Sequence, residues 1–404
     1  MLGGILLILF FALISQGVFR SFEKKHRWFS KSLMNKLFWY HIFFIGVYYT
    51  YAVYNPSDSK NYFARPQNPA LTWGDSFGTS TTFIDFISYP FINGLGFSYE
   101  MMMVLYGYLG FIGFLYAYLF FRENIPIQVK VLNRIDLLTL ILFLPNMHFW
   151  TASMGKGAPI FMGLMMFSYA IKNPKDRIFT LIFASIVIYF IRPHVFLFVA
   201  AGTVLGYMSG REKISLWKKT LIYIGMIGAL FIVQDTILGM AGLENSDNLV
   251  TDFENFSEDR AGELSKSGSG VNMTSYPLTI KLITFWFRPL FFDAPGLLGL
   301  IVSMENLVYL LLFFKIVRKG FIKFLRKSPI SVKMSLTVFL MSSIAMSFVM
   351  SNLGIMMRQK SMVMYFLFFV IYYFLAEKKY KKIMKMRKKK VTFKNQQKLK
   401  SEVT

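Results

Sequence analysis

The chain has 404 residues, of which 55% are hydrophobic, 18% aromatic and only 16% charged; an ordinary soluble domain carries about 25% charged residues, so the bilayer is this chain's main solvent. Its formal net charge of +24 would suggest nucleic acid in a soluble protein, but the Lys and Arg residues lie in gaps between apolar runs and in the C-terminal tail, where anionic headgroups are the obvious partner. There are no cysteines, which excludes disulfides, thiolate nucleophiles and Cys-ligated metals.

A helix needs roughly 20 apolar residues to cross about 30 Å of hydrocarbon. On that measure the sequence predicts an all-α, polytopic integral membrane protein with about eleven transmembrane helices. They fall near 2–19, 37–54, 98–121, 135–151, 157–172, 177–191, 194–209, 219–241, 297–315, 333–351 and 361–376. The first has neither a basic start nor an A-x-A-like cleavage site, so it reads as an uncleaved anchor. Residues 1–376 form one helical domain and 377–404 a basic tail. Basic residues occupy every second gap: Arg20 to Lys36, Arg122 to Arg134, Lys172 to Arg177, Arg211 to Lys219, Lys315 to Lys333, and the tail after Glu377. Cytoplasmic loops carry such an excess, which puts the N-terminus outside and the C-terminus in the cytoplasm. Reading 177–191 and 194–209 as a re-entrant hairpin would leave the later loops on the same sides.

Two external segments are long, 55–97 and 242–296. The second begins with seven acids between Glu244 and Glu263 against one base, and later turns aromatic. Loops of this size in a compact bundle are usually functional or disordered. We read the acidic stretch as a mobile flap and Leu278 to Phe292 as a helix on the outer leaflet. No repeat of 20 to 50 residues supports a duplicated transporter architecture.

Ionisable groups at external helix ends are the candidates for chemistry, because such groups are costly near hydrocarbon. Asp58, Lys60 and Tyr62 follow the second span, where Asp58 also fits a solvated Asx turn. Lys156 sits in a Gly-flanked turn and also fits a snorkelling anchor. Arg192 and His194 flank Pro193 where two spans leave almost no loop. Arg358 and Lys360 precede the last span, with Arg288 and Asp293 in the aromatic segment before the ninth. Arg forks onto two phosphate oxygens and Lys adds a point charge. Cations gathered on one side therefore suggest a phosphate- or diphosphate-bearing ligand, lipid-borne because the pocket lies in the membrane. The competing reading pairs these cations with the acidic flap. Phosphate-loop, Rossmann, H-E-x-x-H and G-x-S-x-G signatures are absent. Asp235, Glu305 and His41 look isolated within the spans, and the four histidines scattered, so no proton or ion relay is visible. No metal cage is apparent either.

The run Leu144-Pro-Asn-Met-His-Phe-Trp-Thr-Ala-Ser-Met-Gly-Lys-Gly, followed by an apolar span and Ile191-Arg-Pro-His, resembles the membrane polymerases of bacterial surface polysaccharides, the EpsG and Wzy-like group. Asp58-Ser-Lys-Asn-Tyr and Arg358-Gln-Lys are similar to positions expected there. The likeness covers most of the chain as a hydropathy and loop pattern. It departs where an acid would follow the turn lysine, since Gly157 stands there.

The resemblance implies transfer of a glycan from a polyprenyl diphosphate donor to a second lipid-linked acceptor, on the outer face of the bacterial inner membrane, for surface or exopolysaccharide biosynthesis. It implies no cofactor, and it allows a chain-length regulator as a further partner. Arg192 and Arg358 would stabilise charge growing on the leaving diphosphate, and Asp58 would act as general base. Lys60, Tyr62, Lys156, His194, Arg288 and Lys360 would bind substrate. The alternatives are an O-antigen ligase-like or single-sugar transferase, a flippase or transporter of lipid-linked sugars, and a noncatalytic envelope scaffold. A transporter would line a two-sided cavity with polar residues, and these spans are too apolar for that.

Overall fold

The computed structural model describes residues 2–125, 127–131, 134–212, 214–240, 249–265, 270, 271, 273, 275–294 and 296–403. Serine and proline set many of the helix limits. α1 (Leu2–Lys25) leads to α2 (Lys31–Tyr54), where Ser30 Oγ accepts the Leu33 N–H, the usual device for satisfying an orphan donor at a helix start. The first external segment folds into α3 (Asp58–Ala64) and α4 (Thr81–Tyr89), and α5 (Tyr99–Asn124) follows. After a two-stranded hairpin, Lys130–Val131 with Ile135–Asp136, come α6 (Leu137–Leu142) and α7 (Pro145–Thr151). Next are α8 (Gly157–Ala170), α9 (Ile178–Ile191), α10 (Pro193–Ser209) and α11 (Leu216–Met240). The remainder is α12 (Leu249–Ser265), α13 (Leu278–Phe287), α14 (Gly296–Phe313), α15 (Phe321–Arg326), α16 (Ile330–Val349) and α17 (Leu353–Val403).

Among the described residues, five helices are long and apolar enough to cross a membrane: Leu2–Lys25, Tyr99–Asn124, Gly296–Phe313, Ile330–Val349 and Leu353–Thr392. The span expected at 135–151 is two helices, because Pro145 cannot continue the ladder and holds Leu144 extended at ψ 123°. α8 and α9 have 14 residues each, about 21 Å at 1.5 Å per residue.

α5 sits at the centre, packed most extensively on α8. Its glycines permit that approach: a Cβ at Gly110 would lie 2.2 Å from the Thr151 carbonyl oxygen, and one at Gly113 2.5 Å from Phe161 Cδ1. Small residues at helix interfaces are how membrane helices reach close contact without a hydrophobic driving force. Against this centre α17 buries an almost unbroken run from Met362 to Tyr372.

Three sequence readings change here. In the described part of the acidic stretch, Leu249–Ser265 is a helix lying on α16, with Ser257 and Ala261 buried, rather than a flap; 241–248 and 266–269 lie outside the described residues. The helix expected over Leu278 to Phe292 ends at Phe287 and is not only a surface element, since Phe285 and Phe287 are buried and Trp286 Nε1 donates to Ser343 Oγ at 2.9 Å. His41 and Glu305 are not isolated. His41 Nδ1 lies 2.9 Å from His148 Nδ1, whose ring stacks on Phe114 at 3.8 Å. Glu305 accepts from the Asn146 N–H and from the Tyr309 hydroxyl. Packing of helices distant in sequence makes both groupings.

Candidate functional site

Residues of α2, α3, α7 and α17, with the turn from Ser153 to Gly157 that leads into α8, line one small cleft. α3 is pinned by hydroxyls: Tyr48 Oη lies 3.1 Å from Ser57 Oγ, and Ser59 Oγ 2.7 Å from Tyr99 Oη. This holds Asp58 on the first turn of α3, where Arg358 Nη1 donates to its Oδ2 at 2.8 Å. The Asp58 side chain remains 64% exposed and that of Arg358 22%. One turn further Tyr62 is buried, with the Arg65 guanidinium 4.6 Å above its ring. Arg65 in turn forks onto buried Asp85 at 2.7 and 3.0 Å.

Gly155 makes the turn that presents Lys156. Its φ of +141° suits glycine, and a Cβ there would stand 3.0 Å from Tyr62 Cε2. Lys156 Nζ donates to Ser80 Oγ at 2.6 Å, and the Ser80 N–H donates to the Phe190 carbonyl at 2.6 Å. Ser80 itself holds φ +65°, an uncommon conformation for a non-glycine residue. Asp58, Tyr62, Trp150, Lys156 and Arg358 line the resulting narrow cleft. Burial, then Arg192, Arg358 and Arg65, push the Lys156 amine down to about 8, with Asp58 opposing them.

Arg192 is set by Pro193. Proline at the first position of α10 disfavours the helical conformation in the residue before it, and Arg192 adopts φ −150° and ψ 83°, ending α9 and starting α10. Its guanidinium is buried. Nη1 donates to Gln359 Oε1, while Nε has no hydrogen-bond partner. Burial and the nearby Arg358 lower its affinity for the proton to about 10, with Tyr62 acting the other way. Arg192 and Gln359 form the polar end of a second, narrow cavity, otherwise walled mainly by apolar residues such as Leu164, Val195, Val338, Met346 and Phe366.

A second polar network lies behind the cleft. Asn146 Oδ1 accepts from Trp150 Nε1 at 3.0 Å, and its Nδ2 donates to the Met357 carbonyl at 2.8 Å. It thus ties the Trp150 ring to the residue before Arg358, whose guanidinium lies 5.9 Å over that ring. Lys360 is fully buried and donates to the Arg288 carbonyl at 2.6 Å, and Arg288 pairs with Asp293 at 2.5 Å.

Of the residues singled out from sequence, Asp58, Tyr62, Lys156 and Arg358 share the cleft, and Arg192 stands close enough to affect Lys156. Lys360 and Arg288 belong to the second network. His194 is half-buried near Phe198, with Arg192 and Lys156 as charged neighbours. Lys60 stands apart, exposed, its Nζ 3.4 Å from the carbonyls of Val53 and Asn55. Among the described ion pairs none joins these cations to the acidic helix; its Arg260 pairs locally with Glu263. Sequence reasoning missed Arg65, Ser80, Asp85, Asn146 and Gln359. Only Gln359, beside Arg358, and Asn146, in the run around Trp150, carried any signal of their own. Comparison with protein-family models, with curated proteins and with solved structures finds no match to this chain.

Proposed function

We propose that the chain is a multi-span glycosyltransferase of the bacterial cytoplasmic membrane, joining polyprenyl-diphosphate-linked glycans on the external face as a surface-polysaccharide polymerase would. The observation that carries this reading is the placing of Arg358 and Lys156 in a small cleft and of Arg192, close enough to act on both, at the polar end of a mainly apolar cavity. A lipid diphosphate has that same division, two phosphates at the end of a hydrocarbon chain. Positive groups fixed before reaction stabilise charge that develops on the leaving diphosphate without reorganisation at the moment of bond breaking. Pairing of Arg358 with Asp58 lets the first cation be released or retained as the ligand enters.

Purified protein given a polyprenyl-diphosphate repeat unit is expected to yield a ladder of products in which each rung adds one unit. A single transfer without a ladder would favour a ligase or single-sugar transferase. No transfer at all would remove the reading.

The reading also takes the eleven-span topology with its external N-terminus, which puts the cleft outside. Cysteine at exposed Asn68 is expected to react with a membrane-impermeant maleimide in spheroplasts, and cysteine at exposed Lys319 only after lysis. The chain lacks native cysteines, so labelling reports these sites alone. Equal labelling of both before lysis would sink the topology.

A further inference from the structure

Resting on the transferase reading, we infer that Lys156, and not Asp58, takes the proton from the acceptor hydroxyl. The surroundings of the Lys156 amine favour its neutral form. It is held by a glycine turn in the cleft wall, and its hydrogen bond goes to Ser80 Oγ, a neutral oxygen. No described carboxylate lies within ion-pair distance of it; Asp58 is engaged by Arg358. The charged and titratable groups facing it are Arg192 at the end of α9, His194 on α10, Arg358 on α17, Arg65, and Asp58 with Tyr62 on α3. Arg358 is paired with Asp58 and Arg65 with Asp85, so Arg192, bonded to the neutral Gln359, is the cation near Lys156 that no described ion pair offsets. An ammonium is disfavoured there, and burial adds to the effect.

A neutral amine needs one N–H to donate to Ser80 and keeps a lone pair for the cleft. Asp58 is placed less well for this task. Its carboxylate is two-thirds exposed and already accepts from Arg358, so water and a guanidinium compete for its lone pairs. A base works best when its pKa is close to the working pH, and Lys156, brought down to about 8, meets that condition. The next residue, Gly157, carries no side chain, so it offers this amine no carboxylate that would keep it charged.

The step balances as a displacement. The hydroxyl oxygen of the acceptor bonds to the anomeric carbon of the donor while its proton passes to Lys156 Nζ. The bond from that carbon to the diphosphate oxygen breaks, and its electron pair stays on the diphosphate beside Arg192 and Arg358. Lys156, now an ammonium, returns its proton to water through the open cleft.

Two measurements on the full-length protein in detergent test this. The first is competitive labelling of amines with acetic anhydride across pH, read at the Lys156 peptide by mass spectrometry, which needs no substrate. A midpoint near 8, moving upward in Arg358→Gln, is expected; a midpoint above about 10, the ordinary lysine range, overturns the inference. The second is turnover with the lipid-linked repeat unit. The kcat should rise through the same pH, and Lys156→Arg should lower kcat about 10²- to 10⁴-fold, the usual contribution of a positioned base, with KM for the donor changed only a few-fold. A variant that keeps its kcat while KM rises would make Lys156 a phosphate-binding cation and overturn the inference. If labelling gives the low midpoint but the wild-type protein transfers nothing, the transferase reading fails and the base role falls with it, while the low-titrating amine stands.

Discussion

Arg192→Lys is expected to lower turnover about 10²- to 10³-fold, the range for removing one preorganised donor, while leaving the protein folded. Lysine keeps a positive charge but loses the planar fork. In the folded chain that fork has one arm committed: Nη1 donates to Gln359, and Nε is buried without a partner. A buried donor left unsatisfied costs free energy, and a phosphate oxygen arriving at Nε would remove that cost on binding. The ammonium of lysine reaches a single point and cannot serve Gln359 and a phosphate in the same fixed geometry. Product formation by monodisperse Arg192→Lys with lipid-linked substrate decides the matter. Turnover near that of the wild type would take Arg192 out of the site and leave Arg358 as the diphosphate ligand. Gln359→Ala offers a check in the other direction, since it frees Nη1 and should loosen the guanidinium, raising KM for the donor more than it lowers kcat.

Glu305→Leu is expected to destabilise the bundle by about 3 kcal/mol or more. Removing one member of a buried set of charges leaves the other uncompensated, and Glu305 is buried on α14 with the fully buried Lys360 among its charged neighbours. It also accepts the Asn146 N–H at 2.8 Å at the start of α7 and the hydroxyl of Tyr309, and leucine would strand both donors. Glu305→Gln loses the charge as well but retains one acceptor oxygen for either the Asn146 N–H or the Tyr309 hydroxyl, so it should cost less than leucine by about 1 kcal/mol, the net worth of an ordinary hydrogen bond. Denaturant or thermal unfolding in detergent separates the two. A leucine variant as stable as the wild type would mean that this carboxylate holds nothing in place.

What could be read from the sequence was set by local physics. Apolar runs and helix-starting serines and prolines depend on neighbours in the chain, so α5, α14 and α16 lie close to their expected positions. The cationic helix ends were legible too, because an Arg before Pro193 and a Lys between two glycines are local patterns. Distances were not. Arg358 and Asp58 are 300 residues apart and Arg192 and Gln359 are separated by 167, and nothing in either segment names its partner. The break between α6 and α7 was visible in Pro145, but a continuous apolar run outweighed it. The helix in the acidic stretch escaped because its charge density suggested solvent, whereas the burial of Ser257 and Ala261 shows one face turned against α16. His41 and His148 meet only because α2 and α7 pack together.

The length of α17 couples two ends of the molecule mechanically. It is a continuous helix of 51 residues, roughly 77 Å at 1.5 Å per residue, with Arg358 and Gln359 in its first two turns and the lysine-rich segment in its last half. A helix without a break transmits axial displacement along its whole length. If the cationic end were drawn one turn along its axis, Arg358 would be carried about 5.4 Å from Asp58, and Gln359 would leave Arg192 with it. Arg358 in the cleft and Gln359 in the neighbouring cavity are therefore carried on the same unbroken helix as the lysine-rich tail, with the buried run from Met362 to Tyr372 fixing its position between them.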